Sequence, residues 1–157
     1  MPCEKFGLDC YLLDRSLKTL AIRVREQNTN AFKLAEILAS KEVVNKVYYP
    51  GLSSHTGFEV AAAQMNGPGS LFSIEFKKNS ISIPNFLQTL DLITPGISLG
   101  GVETTVCAPA LTSHHKLTEK QRLEQGIRPE LLRFSIGIEA WEDLAKDILK
   151  AIKAAKL

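Results

Sequence analysis

The feature that most constrains the fold of this chain is the stretch of residues 9–39, which contains neither proline nor glycine. Two groups of apolar residues recur in it at three- and four-residue steps: Leu13, Leu17, Leu20 and Val24, then Ala31, Leu34, Ala35 and Leu38. This spacing places each group on one side of an α-helix. The polar residues 27–30 between the groups permit a bend, but nothing in them forces a break. The sequence therefore predicts a single long helix over 9–39.

The rest of the chain alternates between short strands and short helices. Strands are predicted over 43–49, 70–76, 104–107 and 131–136, where residues are β-branched, aromatic or alternately apolar and polar. Helices are predicted over 56–65, 84–90, 118–126 and 141–156. Thr118 and Gln121 have the spacing of a capping box, and Gly126 is expected to end that helix. This order predicts an α+β fold, in which helices pack on one face of a small, mainly antiparallel sheet.

The size and composition of the chain indicate one globular domain over residues 1–157. Its 45% hydrophobic and 23% charged residues are globular values, and 19 basic against 17 acidic residues give a net charge of only +2. No clustered basic face points to nucleic acid. No apolar run approaches the ~18 residues of a membrane span, and the first residues lack the apolar core of a signal peptide. We therefore expect a cytoplasmic protein.

The cysteines and histidines do not predict a disulfide framework or a metal site. Cys3, Cys10 and Cys107 are odd in number and none is spaced as in a C-x-x-C motif, so we expect reduced thiols. His114 and His115 are adjacent in a predicted loop, where their rings need not converge on one ion. We therefore expect no metal ligands in this chain.

Arg133 interrupts an otherwise apolar predicted strand. Leu132, Phe134 and Ile136 are expected on one face of that strand, and Arg133 and Ser135 on the other. An unpaired buried charge is costly, so the guanidinium needs an anionic partner or solvent. Its planar fork suits a bidentate carboxylate. The residues alone leave three possibilities open: a carboxylate ligand, an internal glutamate, or an exposed strand arginine.

A glycine pair at residues 100–101 lies between strand-like segments. Adjacent glycines indicate either close approach of the backbone to a ligand or another segment, or simply a tight turn. These alternatives also remain open from the residues alone.

Several motifs occur together and in order along the chain. They are Arg-Ser-Leu-Lys-Thr-Leu at 15–20 with Arg23, Val-Tyr-Tyr-Pro-Gly-Leu at 47–52 with His55, Ser-Leu-Gly-Gly-Val-Glu at 98–103, Pro109-Ala110 with Ser113-His114, and Leu-Arg-Phe-Ser-Ile-Gly-Ile-Glu at 132–139. The set resembles the C-terminal domain of the trans-sulfuration enzymes that depend on pyridoxal 5'-phosphate (PLP): cystathionine γ-synthases, cystathionine β- and γ-lyases and methionine γ-lyases. The resemblance extends over about residues 9–152.

The resemblance implies roles for two residues. The arginine that matches Arg133 binds the α-carboxylate of the amino-acid substrate, and the serine that matches Ser98 lies at the active site, near the lysine that carries PLP. That lysine belongs to the large N-terminal domain of the family, and no lysine of this chain matches its motif. The resemblance therefore implies that residues 1–157 are the small C-terminal domain. It contains no catalytic or cofactor-binding residue, and it reaches PLP only through an N-terminal domain.

The function that the resemblance implies is that of the C-terminal portion of a cystathionine lyase or synthase. Ile97 stands where many γ-lyases and γ-synthases have an acidic residue, which favours β-elimination. The expected partners are an N-terminal PLP-binding domain or a full-length homologue, and a small amino acid. Intact members of the family form homo-oligomers. The alternatives are a non-catalytic fragment or interaction module derived from such an enzyme, and a free-standing binder of small carboxylates.

Overall fold

The computed structural model describes residues 4–157, with side chains from Gly7 onward. The helices are α1 (Glu4–Leu17), α2 (Leu20–Ala39), α3 (Phe58–Gln64), α4 (Ile83–Thr89), α5 (Glu119–Glu124) and α6 (Trp141–Ala154). The strands are β1 (Val44–Tyr48), β2 (Leu71–Phe76), β3 (Thr94–Pro95), β4 (Thr105–Cys107) and β5 (Leu131–Ser135). Cys10 and Cys107 are free thiols, whereas Cys3 lies outside the described residues.

The five strands form one sheet in the order β1-β2-β5-β4-β3. Every neighbouring pair is antiparallel except β3 and β4, which are parallel. The predicted α+β class with a mainly antiparallel sheet is therefore confirmed. The strand β5 is central, and within it Arg133 lies opposite Ser73 of β2 on one side and Cys107 of β4 on the other. Arg133 is thus held by backbone ladders from both directions.

The core lies between the sheet and the helices α2, α4 and α6. Helix α6 contacts both α2 and α4, and α2 contacts β1 and β2. Leu34 of α2 and Leu144 of α6 are fully buried in the same core cluster as Phe134 of β5, whose ring stacks on Phe72 at 5.2 Å between centroids. Burying one such side chain contributes about 1.5–3 kcal/mol, so these contacts account for much of the stability. The alternation predicted for β5 puts Phe134 in the core and Arg133 on the opposite face.

The prediction of one helix over 9–39 is wrong at residues 18–19, where α1 ends and α2 begins. The Ser16 carbonyl accepts hydrogen bonds from the backbone N–H and the hydroxyl of Thr19, and from Nη2 of Arg23 at 2.7 Å. These donors satisfy the carbonyl outside the regular i to i+4 ladder, which allows the chain to turn. The polar residues 27–30 continue α2 without a break.

Helix α1 presents exposed apolar side chains along its length. All the side chains described in residues 7–17 are exposed, among them Leu8 (64%), Tyr11 (61%) and Leu13 (60%). Apolar surface of this kind usually marks a place where another protein segment packs.

The predicted turn chemistry around α5 is confirmed. The Thr118 hydroxyl accepts from the backbone N–H of Gln121, and the Gln121 side chain accepts from the backbone N–H of Thr118. Gly126, just after the helix, has a positive φ of 74°. In the part of the chain that the structure describes, no helix is long and apolar enough to cross a membrane.

Candidate functional site

Arg133 lies half-buried at the centre of the sheet, on the face opposite the helices. Its Nη2 donates to the carbonyl of Ile97 at 2.9 Å. Its Nε is inaccessible to solvent and has no hydrogen-bond partner. A buried donor without an acceptor costs about 1–3 kcal/mol, but Nε of Arg23 and of Arg122 are in the same state, and a ligand oxygen reaches an inaccessible nitrogen only if neighbouring atoms move. No salt bridge among the described residues includes Arg133, which argues against the internal glutamate that the sequence left open.

Ser98 lies in the loop that follows β3, and its side chain is exposed. Its carbonyl accepts a hydrogen bond from the hydroxyl of Thr105 at 2.8 Å. The preceding residue is Ile97, whose carbonyl holds Arg133. The structure therefore places Ser98 directly after the residue whose carbonyl Arg133 contacts.

Residues 97–101, which we call the site loop, are attached to the fold by hydrogen bonds with side chains of neighbouring elements. The N–H of Gly100 donates to Oγ of Ser135 at 2.8 Å, and the carbonyl of Gly101 accepts from Nε2 of Gln27 at 2.6 Å. Gly100 has a positive φ of 76°, a conformation that favours glycine. The chain bends at Gly100, in a backbone conformation that a residue with a side chain rarely adopts.

A second set of buried polar groups fixes the segments just after the site loop and after β5. The carboxylate of Glu139 accepts from the backbone N–H of Thr104 at 2.6 Å and from its hydroxyl at 2.8 Å. The same hydroxyl accepts from the N–H of Gly137 at 2.9 Å. From α2, Nδ2 of Asn30 donates to the Glu139 carbonyl at 2.8 Å. These bonds hold the segment that follows the site loop against the segment that follows β5.

The sequence alone does not reveal the structural roles of Gln27, Asn30, Thr104 and Glu139. Gln27 and Asn30 lie in the polar stretch 27–30, whose composition indicates only a possible bend. Both are buried, at 6% and 0% exposure, and their partners lie 74 and 109 residues away along the chain. The sequence shows only that two polar residues lie beside the apolar stripe of α2. It does not indicate which backbone carbonyls they bind.

The histidines do not form part of this site. Nδ1 of His114 lies 2.8 Å from the Ser113 hydroxyl, and Nδ1 of His115 lies 2.6 Å from the Thr112 carbonyl. Among the residues that the structure describes, no group of three or more His, Cys, Asp or Glu side chains could hold a metal ion.

A cavity of about 390 Å³ lies away from Arg133, between the β1–β2 edge and α5. Its most buried polar group is Glu75, which accepts from Nδ2 of Asn45 at 2.7 Å and from the Tyr48 hydroxyl at 3.1 Å. Burial and the hydrogen bond to Glu75 raise the pKa of Tyr48. The Glu75 carboxylate already has three partners, since Nε of Arg128 lies 3.6 Å away. Because protein groups already bind this carboxylate, we interpret the cluster as structural.

The groups around Arg133 fit a carboxylate better than they fit PLP. PLP requires a lysine amine for its aldehyde and several donors for its phosphate. The side chains that bond the site loop are those of Arg133, Thr105, Ser135 and Gln27, and they include no lysine. The Arg133 guanidinium has no carboxylate partner among the described residues, and a guanidinium can bind a carboxylate through two parallel N–H···O bonds.

Comparison with known proteins places this geometry in a family. The family model described as "Cys/Met metabolism PLP-dependent enzyme" matches residues 6–153. The chain belongs to this family. Its predicted resemblance to the PLP-dependent trans-sulfuration enzymes is thereby confirmed.

Curated members of the family include both lyases and synthases. The chain is 41% identical over 145 residues to the cystathionine beta-lyase of Lactococcus lactis subsp. cremoris (strain MG1363), a match that covers 92% of the chain and 38% of that protein. It is 42% identical over 144 residues to the chloroplastic cystathionine gamma-synthase 1 of Arabidopsis thaliana, covering 92% of the chain and 26% of that protein. The chain therefore spans well under half the length of these family members.

Solved structures of the family have the same fold over this region. The cystathionine gamma-lyase from Lactobacillus plantarum, in complex with L-serine, superposes with a TM-score of 0.87 at 37% identity, over 92% of the chain and 38% of that protein. The cystathionine gamma-lyase CalE6 from Micromonospora echinospora also gives 0.87, at 40% identity, over 93% of the chain and 38% of that protein.

Proposed function

We propose that this chain forms the small C-terminal domain of a PLP-dependent cystathionine lyase or synthase. In this proposal Arg133 binds the α-carboxylate of the amino-acid substrate, and Ser98 lines the same site. The observation that carries the proposal is the state of the Arg133 guanidinium, which is anchored through Nη2 on the Ile97 carbonyl and is paired with no carboxylate among the described residues. Membership of the family supports it, because the family acts on sulfur amino acids.

The position of Arg133 supports binding of a carboxylate in a fixed orientation. Neighbouring strands pair on both sides of β5, so the backbone of Arg133 cannot shift without breaking ladder hydrogen bonds. The Ile97 carbonyl restrains the end of the side chain. A guanidinium that is already restrained loses less conformational entropy when a ligand binds. The amino acid would therefore be held by its carboxylate while its other groups face the rest of the enzyme.

PLP, when bound, withdraws electrons from the amino acid attached to it. In our proposal the lysine and the phosphate site belong to a larger N-terminal domain, and this chain contributes the carboxylate contact. The share of each relative that the chain covers, 38% or 26%, supports the assignment of these residues to one domain of such an enzyme. We propose a cytoplasmic location, because Cys10 and Cys107 are unpaired, as is usual in reducing compartments.

Titration of the chain with L-serine tests the role of Arg133. We expect the NMR signal of the Arg133 Nε–H group to shift, with a Kd in the millimolar range, because a half-site open to water binds an ion weakly. In Arg133→Ala the remaining signals should no longer respond to L-serine. The matched control is Arg25→Ala, which removes an exposed guanidinium whose Nε bonds only the Ala21 carbonyl. An unchanged titration in Arg133→Ala would refute the assignment.

A second candidate function is that of an interaction module without catalysis of its own, and helix α1 favours it. Leu8, Tyr11 and Leu13 are each at least 60% exposed, so an apolar surface is available to a partner. We propose the N-terminal PLP-binding domain, or a full-length homologue, as that partner. Light scattering after size exclusion of the chain mixed with the full-length cystathionine beta-lyase of Lactococcus lactis is expected to show a complex that Leu13→Glu weakens. Separate elution of the two proteins at every concentration would count against this candidate.

A further inference from the structure

We infer that Thr105 and Ser135 are positioning residues for the carboxylate site. Their hydroxyls hold the site loop, and through that loop they set the orientation of the Arg133 guanidinium. This inference rests on the proposed role of Arg133 as the carboxylate ligand, but its structural part can be measured separately.

The two hydroxyls lie side by side on neighbouring strands. Thr105 of β4 and Ser135 of β5 are partners in the sheet register. They are buried, at 6% and 1% exposure. The Thr105 hydroxyl donates to the carbonyl of Ser98 at 2.8 Å, and the Ser135 oxygen accepts from the N–H of Gly100 at 2.8 Å. One hydroxyl thus binds a loop acceptor and the other a loop donor, which defines both the position and the direction of the loop backbone.

The loop backbone in turn restrains Arg133. The carbonyl that accepts from Arg133 Nη2 belongs to Ile97, the residue directly before Ser98. If Thr105 released Ser98, the neighbouring Ile97 carbonyl would be free to rotate, and the guanidinium would lose its anchor. Small displacements of a binding group can reduce its effect by orders of magnitude, so this coupling matters for ligand binding.

The Ser135 hydroxyl stabilises the backbone conformation that Gly100 adopts in the site loop. Gly100 has a φ of 76°, and the Ser135 oxygen accepts the N–H of the glycine in that conformation. Alanine at 135 would leave this N–H without its acceptor and would favour other loop conformations.

The loop has a further attachment that does not depend on the hydroxyl pair. Nε2 of Gln27 donates to the Gly101 carbonyl at 2.6 Å from helix α2. Loss of Thr105 or Ser135 hydroxyls should therefore loosen residues 97–100 while the end of the loop stays attached. The effect is expected to be local, and the domain is expected to remain folded.

Hydrogen exchange in the full 157-residue chain tests the structural part of the inference. Ser135→Ala should increase the exchange rate of the Gly100 amide about tenfold or more, the factor expected when one hydrogen bond is lost. Thr105→Val, which keeps the shape of threonine, should shift the Arg133 Nε–H signal, and Thr105→Ser should restore it. The controls are Thr29→Val and Ser113→Ala, which remove exposed hydroxyls away from the loop.

Titration of the same variants with L-serine tests the consequence for binding. We expect the Kd to rise about tenfold in Thr105→Val and in Ser135→Ala, with Thr105→Ser near the wild-type value. Unchanged Gly100 exchange and an unchanged Arg133 signal would overturn the inference, and so would altered exchange with an unchanged Kd. If Arg133→Ala leaves L-serine binding intact, the proposed function fails, while the exchange data still decide whether the hydroxyls position the loop.

Discussion

A substitution at Asp147 tests how helix α6 holds the segment that leads into the site loop. This residue of α6 is only 7% exposed. Its Oδ1 accepts from the N–H of Asp91 at 2.9 Å, and its Oδ2 accepts from the N–H groups of Leu92 at 2.9 Å and Ile93 at 3.0 Å. One carboxylate thus fixes the turn that leads into β3 and then into the site loop.

The change Asp147→Asn keeps the size of the side chain and removes its charge. A hydrogen bond to a charged group contributes about 1.5–3 kcal/mol, against about 0.5–1.5 kcal/mol for a neutral one. Asparagine keeps only one acceptor oxygen, so at best the bonds from Leu92 and Ile93 survive as neutral bonds, at a loss of about 1 kcal/mol each. The Asp91 N–H then faces an amide NH2 group and loses its acceptor, which costs about 1 kcal/mol or more, so the total loss is about 3 kcal/mol. For a domain of this size, 1 kcal/mol lowers Tm by about 2–4 °C, and we therefore expect a fall of about 6–12 °C.

Urea unfolding followed by circular dichroism measures this loss directly. Asp143→Asn is the matched control, because Asp143 is an exposed acid in the first turn of the same helix. That control should cost less than about 1 kcal/mol, the usual value of one charge near a helix N-terminus. A free energy of unfolding for Asp147→Asn equal to that of the control would refute the assignment of the three bonds to the carboxylate.

Two further predictions concern single side chains. Burial raises the pKa of Tyr49, so the folded protein binds this proton more tightly than the unfolded chain, whose tyrosines titrate near ~10. The free energy of unfolding should therefore fall as the pH rises above about 10, and urea unfolding at several pH values should show a shallower fall in Tyr49→Phe. Thr118→Ala removes the capping box of α5 and should cost about 1 kcal/mol locally. Faster exchange of the amides in α5 would show this, and unchanged exchange would contradict it.

The layered architecture could be predicted because the residue patterns that indicate it lie within single helices and strands. In β5, the alternation of Leu132 and Phe134 with Arg133 identifies a strand with one buried face, and the structure has that face in the core. The break between α1 and α2 could not be predicted in the same way. It depends on hydrogen bonds from Thr19 and Arg23 to one carbonyl, and helical periodicity carries no information about such bonds.

The site could be predicted only in part for the same reason. Motifs indicate Arg133 and Ser98 as candidate site residues, but the groups that hold the site loop depend on contacts across the fold. Gln27 binds a carbonyl 74 residues away, and Ser135 binds an N–H 35 residues away. The strand β3 was missed as well, since it consists of two residues paired in parallel with β4.

The most direct test of the central claim is a chimera in which this chain replaces the matched 145 residues of the Lactococcus lactis cystathionine beta-lyase. The account predicts that the chimera binds PLP and cleaves cystathionine. Arg133→Ala in the chimera should retain PLP, seen by its visible absorption, but lose at least about 30-fold in kcat/KM, because removing one partner of a desolvated charge pair costs about 2–5 kcal/mol. A chimera in which Arg133→Ala is as active as the parent would contradict the claim.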